Sequence, residues 1–283
     1  MEKKKHRRDW LSPILRVGVW TAMVLTVATL VLIIAYILIM GVPHLKLSLF
    51  SPTYTSDNAS MLPSILNTLW VILVSLGISV PLGIGCAIYL AEYTKRDSIV
   101  VRIIRMAAET LSGIPSIVYG LFGYLFFVAQ LKWGYSLLAG SCTLSLMILP
   151  LIMRTTEEAL LSVPDTFREA SFGLGAGRLR TILRVVLPSA VPGILAGVIL
   201  GIGRIVGETA ALIYTAGTST DTPHSLMDSG RTLSIHMYVL SGEGFHTNEA
   251  FATAVVLLIT VLGINTLASV IAKALMKTTG EKS

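Results

Sequence analysis

Long apolar runs separated by shorter polar stretches set the pattern of this chain. Six segments hold no Asp, Glu, Lys or Arg; they lie within 17–45, 61–91, 110–131, 133–153, 185–203 and 250–272. Each is long enough to cross about 30 Å of hydrocarbon, which takes about 20 helical residues. The apolar–polar alternation of a membrane strand is absent, which argues against a β-barrel. The pattern predicts an all-α, polytopic membrane protein with six transmembrane helices. The fifth extends further if Arg204 and Glu208 are tolerated inside it. Gly193, Gly197 and Gly201 recur there at four-residue spacing, with Gly203 and Gly207 following. Small residues at that spacing let helix backbones approach closely, so the fifth span is expected in the interior. Pro81, Pro115, Pro188 and Pro192 are candidate kinks or helix starts.

Composition agrees: 53% of the 283 residues are hydrophobic and 13% charged. Charge placement then adds orientation. The N-terminal tail (1–16), the connectors after the second and fourth spans, and the C-terminal tail together hold 18 of the 22 basic residues. Lys46, Lys132 and Arg231 lie opposite, and Arg204 lies within a span. The positive-inside rule places both termini in the cytoplasm and residues 218–249, the longest connector, outside. The net charge of +6 belongs to this anchoring on membrane lipid and does not point to nucleic acid. The rest of the chain, 17–283, reads as one transmembrane domain.

Catalytic signatures are missing. There is no G-x-x-x-x-G-K-[ST] phosphate loop, no nucleophile elbow and no H-E-x-x-H. Cys86 and Cys142 have no CxxC or metal-type spacing. His224, His236 and His246 have no ligand spacing and read as loop or docking residues, so no metal site is expected. The chain is expected to hydrolyse nothing itself.

Two polar features remain. The first is the connector 155–185. Thr166-x-x-Glu169 has the form of a capping box, and glycines between 173 and 177 can end the helix it starts. A short helix over about 165–177 then suits either the lipid interface or a cytoplasmic partner. The second is Arg204-x-x-x-Glu208. On a continuous helix, residues four apart share a face and can ion-pair. Ionisable groups inside a span mark pathways by default. An arginine suits an oxyanion, because its planar fork offers bidentate, permanently charged donors. Glu208 would then either hold Arg204 or accept a hydrogen bond from a protonated oxyanion. Ser116 and Thr209 can add hydroxyl donors.

The spacing Glu169-Ala170-Ser171, then Gly175, then Val185-x-Leu187-Pro188 resembles the EAA motif of ABC importer permeases. The string G-I-G-R-I-V-G-E-T-A-A-L, with L-S-G-I-P-S-I-V-Y-G-L-F-G at 111–123 and I-Y-L-A-E-Y at 88–93, resembles the phosphate-importing branch, its PstA-type subunits in particular. The resemblance implies a type I importer permease fold in the cell inner membrane. It implies a coupling helix that uses Thr166, Glu169, Ala170, Ser171, Gly175, Leu187 and Pro188. It also implies a heterodimer with a PstC-like permease, two copies of an ATP-binding subunit that holds ATP and Mg, and an extracytoplasmic phosphate-binding protein. The chain itself would carry no cofactor, and Arg204 and Glu208 would line half of a phosphate pathway. Another oxyanion (molybdate, sulfate or phosphonate) and a secondary anion carrier are the alternatives.

Overall fold

The computed structural model describes residues 11–94 and 98–278. Among these residues eleven α-helices follow in chain order: α1 (Leu11–Gly41), α2 (Leu62–Ile88), α3 (Ile99–Ser112), α4 (Ser116–Gly123), α5 (Leu137–Leu161), α6 (Asp165–Gly173), α7 (Arg178–Thr181), α8 (Leu187–Gly207), α9 (Ala210–Ile213), α10 (Leu233–Glu243) and α11 (Thr247–Thr278). Wider π-helical turns extend α2 over Tyr89–Tyr93 and α4 over Tyr124–Gln130, and link α7 to α8 over Ile182–Val186. Among the described residues five helices are long and apolar enough to cross a membrane, and a sixth span exists if α3 and α4 count as one bent unit.

That unit corrects the sequence reading. The apolar run 110–131 does not form one straight helix. Its first residues end α3, and α4 departs at 99°. The corner is Gly113-Ile114-Pro115. Proline disfavours helical backbone at the residue before it and offers no N–H, so a helix ends there and a new one starts. The limb Ser116–Gln130 spans only about 22 Å at 1.5 Å per residue. Other edges shift as well. Arg16 lies inside α1, and the outer connector 218–249 contains α10 and the start of α11. The basic residues of 1–10, with Lys95, Arg96 and Lys282, lie outside the described residues.

Among the described residues four apolar clusters fill the bundle, a small one of Phe127, Val128 and Ala139 and three larger ones. The central one joins Val71 and Ile72 of α2, Leu144, Ile148 and Ile152 of α5, Ile202 and Ile205 of α8 and Leu212 of α9. One end is closed by Leu90, Val101, Met153, Leu160 and Val186, the other by Leu49, Met61, Leu233, Leu240 and Ala252. Hydroxyls tie α2 to α5: Ser75 Oγ donates to the Ser141 carbonyl (3.1 Å) and Ser145 Oγ to the Ser75 carbonyl (3.2 Å). In lipid such bonds and close backbone packing, not apolar burial, hold helices together. The glycine stripe of α8 serves the packing. A Cβ at Gly193 would collide with Ala159 of α5, and one at Gly197 with Thr155. By contrast α1 lies outside the bundle and touches mainly α11, with Tyr36 edge-on to Phe251.

Candidate functional site

The connector after α5 folds into a helix laid on the end of the bundle. α6 starts at Asp165, with Pro164 in the N-cap position and its carbonyl accepting from Phe167 N (3.1 Å). The expected capping box is therefore not formed. Thr166 falls inside the first turn, past the position from which its hydroxyl could receive the Glu169 amide. The helix ends at Leu174, and Gly175 follows with φ +80°, a left-handed conformation that glycine takes without strain. Leu187 and Pro188 lie inside the continuous helical run Arg178–Gly207, directly after the π-helical turn Ile182–Val186, so the missing N–H of Pro188 falls where the regular hydrogen-bond ladder is already interrupted.

No residue of α6 is buried. Phe167, Phe172 and Leu174 are exposed, as are Glu169 and Ala170. One side chain holds this exposed helix in place. Arg168, 14% exposed, donates to Glu92 at 2.6 Å and to the carbonyls of Val163 (2.8 Å) and Leu160 (2.9 Å), and it also pairs with Asp165 (3.1 Å). Glu92 lies in the π-turn that ends the second span. The guanidinium thus ties α6 to the ends of two spans at once. Ser171 Oγ meets Thr181 Oγ1 at 2.8 Å and closes the far end of α6 onto α7. Arg168 and Glu92 were not singled out from sequence. Glu92 alone, an isolated carboxylate closing an apolar run, was a signal for a buried partner.

The second group surrounds the end of α8. Arg204 sits in the last helical turn and is exposed, with no ion-pair partner among the described residues. It lies 20 residues beyond Arg184, about 30 Å along the axis, which is one hydrocarbon thickness. Glu208 does not pair with it. α8 stops at Gly207, and Glu208 turns to extended backbone (φ −74°, ψ 126°), which breaks the four-residue spacing on which a shared face depends. Glu208, only 9% exposed, instead accepts from the Ala211 amide (3.0 Å) through Oε1 and from Ser234 Oγ (2.7 Å) through its carbonyl. The carboxylate caps α9. That is a third role, beside holding Arg204 or accepting from a protonated anion. Thr209 points no closer than 3.5 Å to the Gly207 carbonyl, and Ser116, in the first turn of α4, has no hydrogen bond among the described residues. α4 runs alongside this break: a Cβ at Gly120 would strike the backbone of Ala211.

Residues 79–280 match the family described as binding-protein-dependent transport system inner membrane component. The chain is 34% identical over 257 residues to a probable ABC transporter permease protein, YqgI, of Bacillus subtilis, covering 84% of this chain and 87% of that one. It is 33% identical over 285 residues to the phosphate transport system permease protein PstA of Yersinia pestis, covering 96% and 94%. Among solved structures it is similar to a bacterial alginate ABC transporter in complex with a periplasmic protein, with TM-score 0.68 and 17% identity over 95% of this chain and 98% of that one. It is also similar to the MetNI methionine ABC transporter, with TM-score 0.58 and 21% identity over 76% and 94%. The fold is that of type I ABC importer permeases.

Proposed function

The chain belongs to the family of binding-protein-dependent transport system inner membrane components, and from that premise we propose that it forms half of the pathway of an ATP-driven importer of inorganic phosphate. It is a multi-pass inner-membrane permease subunit. The observation that carries the proposal is α6, a helix wholly outside the core yet fixed by a buried ion pair at the bundle end. A segment exposed only to be solvated needs no such anchor, whereas a docking segment must keep its position under load. Its occupant is a cytoplasmic ATP-binding subunit, present twice, which binds ATP and Mg and performs the hydrolysis. The partner permease is of the PstC type, and an extracytoplasmic phosphate-binding protein delivers the substrate. Phosphate is supported by the name of the Yersinia relative, which matches nearly the whole chain, and by the free fork of Arg204 near the outer end of α8. In a strain lacking this gene, uptake of labelled phosphate should fall to background, return with the wild-type chain, and be competed by unlabelled phosphate but not by sulfate, molybdate or a phosphonate. Competition by sulfate or molybdate instead would reassign the substrate.

Orientation has its own test. Phe245, 92% exposed before α11, is expected outside, and Ser162, exposed after α5, inside. With Cys86 and Cys142 removed, Phe245→Cys should react with an impermeant thiol reagent added to intact cells, while Ser162→Cys should react only after the cells are opened. The reverse labelling would invert the topology.

A further inference from the structure

Besides the exposed Arg204, another arginine has no acid paired with it among the described residues, and this one is buried. Arg231, just before α10, is 3% exposed, and its Nε and Nη2 make no hydrogen bond. No carboxylate pairs with it among the described residues. The nearest acid in sequence, Asp228, accepts from the amides of His224 and Ser225. The guanidinium lies instead over the Tyr54 ring, 4.4 Å from its centroid. A ring quadrupole offsets only part of the cost of stripping water from a cation, so the charge is left largely uncompensated.

The surrounding groups are unsatisfied too. His236, on the first turn of α10, is fully buried edge-on to the same tyrosine, with ring centroids 6.2 Å apart. The Ala59 backbone faces its ring, but neither ring nitrogen makes a hydrogen bond of normal geometry. Burial first, and then the Arg231 charge, push the imidazole down to about 3, so it is neutral and offers one donor and one acceptor. Asn67 of α2 donates through Nδ2 to the Arg231 carbonyl (3.1 Å), while its Oδ1 has no partner. Two stretches, α2 and 231–236, thus carry unused donors on Arg231 and His236 and unused acceptors on His236 and Asn67, and a third, 51–60, covers the arginine and the histidine.

We propose that Arg231, His236 and Asn67 form a second anion site at the outer end of the bundle, one that takes a protonated tetrahedral oxyanion. The charge requires an anion. The free acceptors require that the anion also donate. Singly or doubly protonated phosphate does both, whereas sulfate and chloride would leave Asn67 Oδ1 and one His236 nitrogen empty. Tyr54 covers the guanidinium, so the ligand enters when the 51–60 segment lifts. Ser234 joins this site to the Arg204 end of α8 through its bond to Glu208, which makes Arg231 an outer station ahead of Arg204. The identity of the ligand as phosphate rests on the phosphate-import reading; the need for an anion does not.

The test uses the assembled importer, purified without its binding protein and freed of phosphate. It is melted in buffer, in inorganic phosphate, and in sulfate or chloride at matched ionic strength. Phosphate should raise Tm of the wild type and of Arg204→Gln by a few degrees, through binding to the folded state, and sulfate and chloride should raise it less. In the Arg204→Gln background, where Arg204 no longer contributes, Arg231→Gln should lose the phosphate increment. Should that variant not assemble, Tyr54→Glu in the same background places a built-in carboxylate beside the guanidinium. It should melt in plain buffer near the wild type's phosphate-bound Tm and ignore added phosphate. A phosphate increment that persists in either variant, or equal increments from all three anions, overturns the proposal. Normal phosphate uptake without an Arg231-dependent increment removes this site alone. The increments as described, with phosphate uptake independent of the chain, remove the import reading alone.

Discussion

Arg168→Met should strip the chain of its docking helix. The substitution keeps the aliphatic stem but deletes the guanidinium that meets Glu92 and the carbonyls of Leu160 and Val163. Glu92, 7% exposed on its side chain, is then left as an uncompensated carboxylate. Breaking one side of a buried pair costs about 3–5 kcal/mol, a large part of the stability of most domains. α6 has no apolar residue in the core to hold it once the pair is gone. The expected result is a strong fall in membrane protein level, loss of co-purifying ATP-binding subunit and uptake near background. The double variant Arg168→Met/Glu92→Leu separates the two consequences. Replacing a buried pair by apolar residues is often neutral or stabilising, so protein level should return. Uptake should stay low, because α6 is no longer tied to the end of α2. Wild-type uptake by the double variant would mean that the pair is only a packing device and that α6 couples without it.

The spans were legible because their physics is local: a run without charge either crosses lipid or does not. The exceptions arose where tertiary structure intervened. The run 110–131 concealed a corner, since Thr110, Leu111 and Ser112 carry no charge although they belong to α3; Pro115 was visible, but not the angle it imposes. The pairing expected of Arg204 and Glu208 presupposed a helix through both, and no proline warned that α8 would stop at Gly207. At α6 the local signal of Thr166 and Glu169 was real but was pre-empted by Pro164, which already occupied the capping position. Arg231 and His236 looked like loop residues because the groups that bury them, Tyr54 and Ala59, lie more than 170 residues earlier in the chain. Arg168 shows the same limit: its role depends on Glu92, which the fold brings beside it from 76 residues away.

The end of α8 separates a charge that meets substrate from a charge that shapes backbone. Arg204 is exposed and has no ion-pair partner among the described residues, so Arg204→Gln should leave protein level and assembly unchanged. A hydrogen bond to a charged group is worth about 1.5–3 kcal/mol, which sets the expected fall in uptake at about 10- to 150-fold. Arg204→Lys should recover part of it, since an ammonium keeps the charge without the fork. Glu208 should behave in the opposite way. Glu208→Gln retains an oxygen that can accept from the Ala211 amide, so both level and uptake should stay within a few-fold of wild type. Glu208→Leu removes the acceptor, orphans a buried N–H at a cost of about 1–3 kcal/mol, and should lower protein level before anything else. The exchange Arg204→Glu with Glu208→Arg should restore neither, because an arginine at 208 offers no acceptor to the Ala211 amide and, past the break at Gly207, does not share a helix face with residue 204. Uptake of labelled phosphate, normalised to protein level in membranes, distinguishes these cases. Near-normal uptake by the exchanged protein would remove Arg204 from the pathway and make the two residues a salt bridge after all. A steep loss in Glu208→Gln at unchanged protein level would return the carboxylate to the substrate.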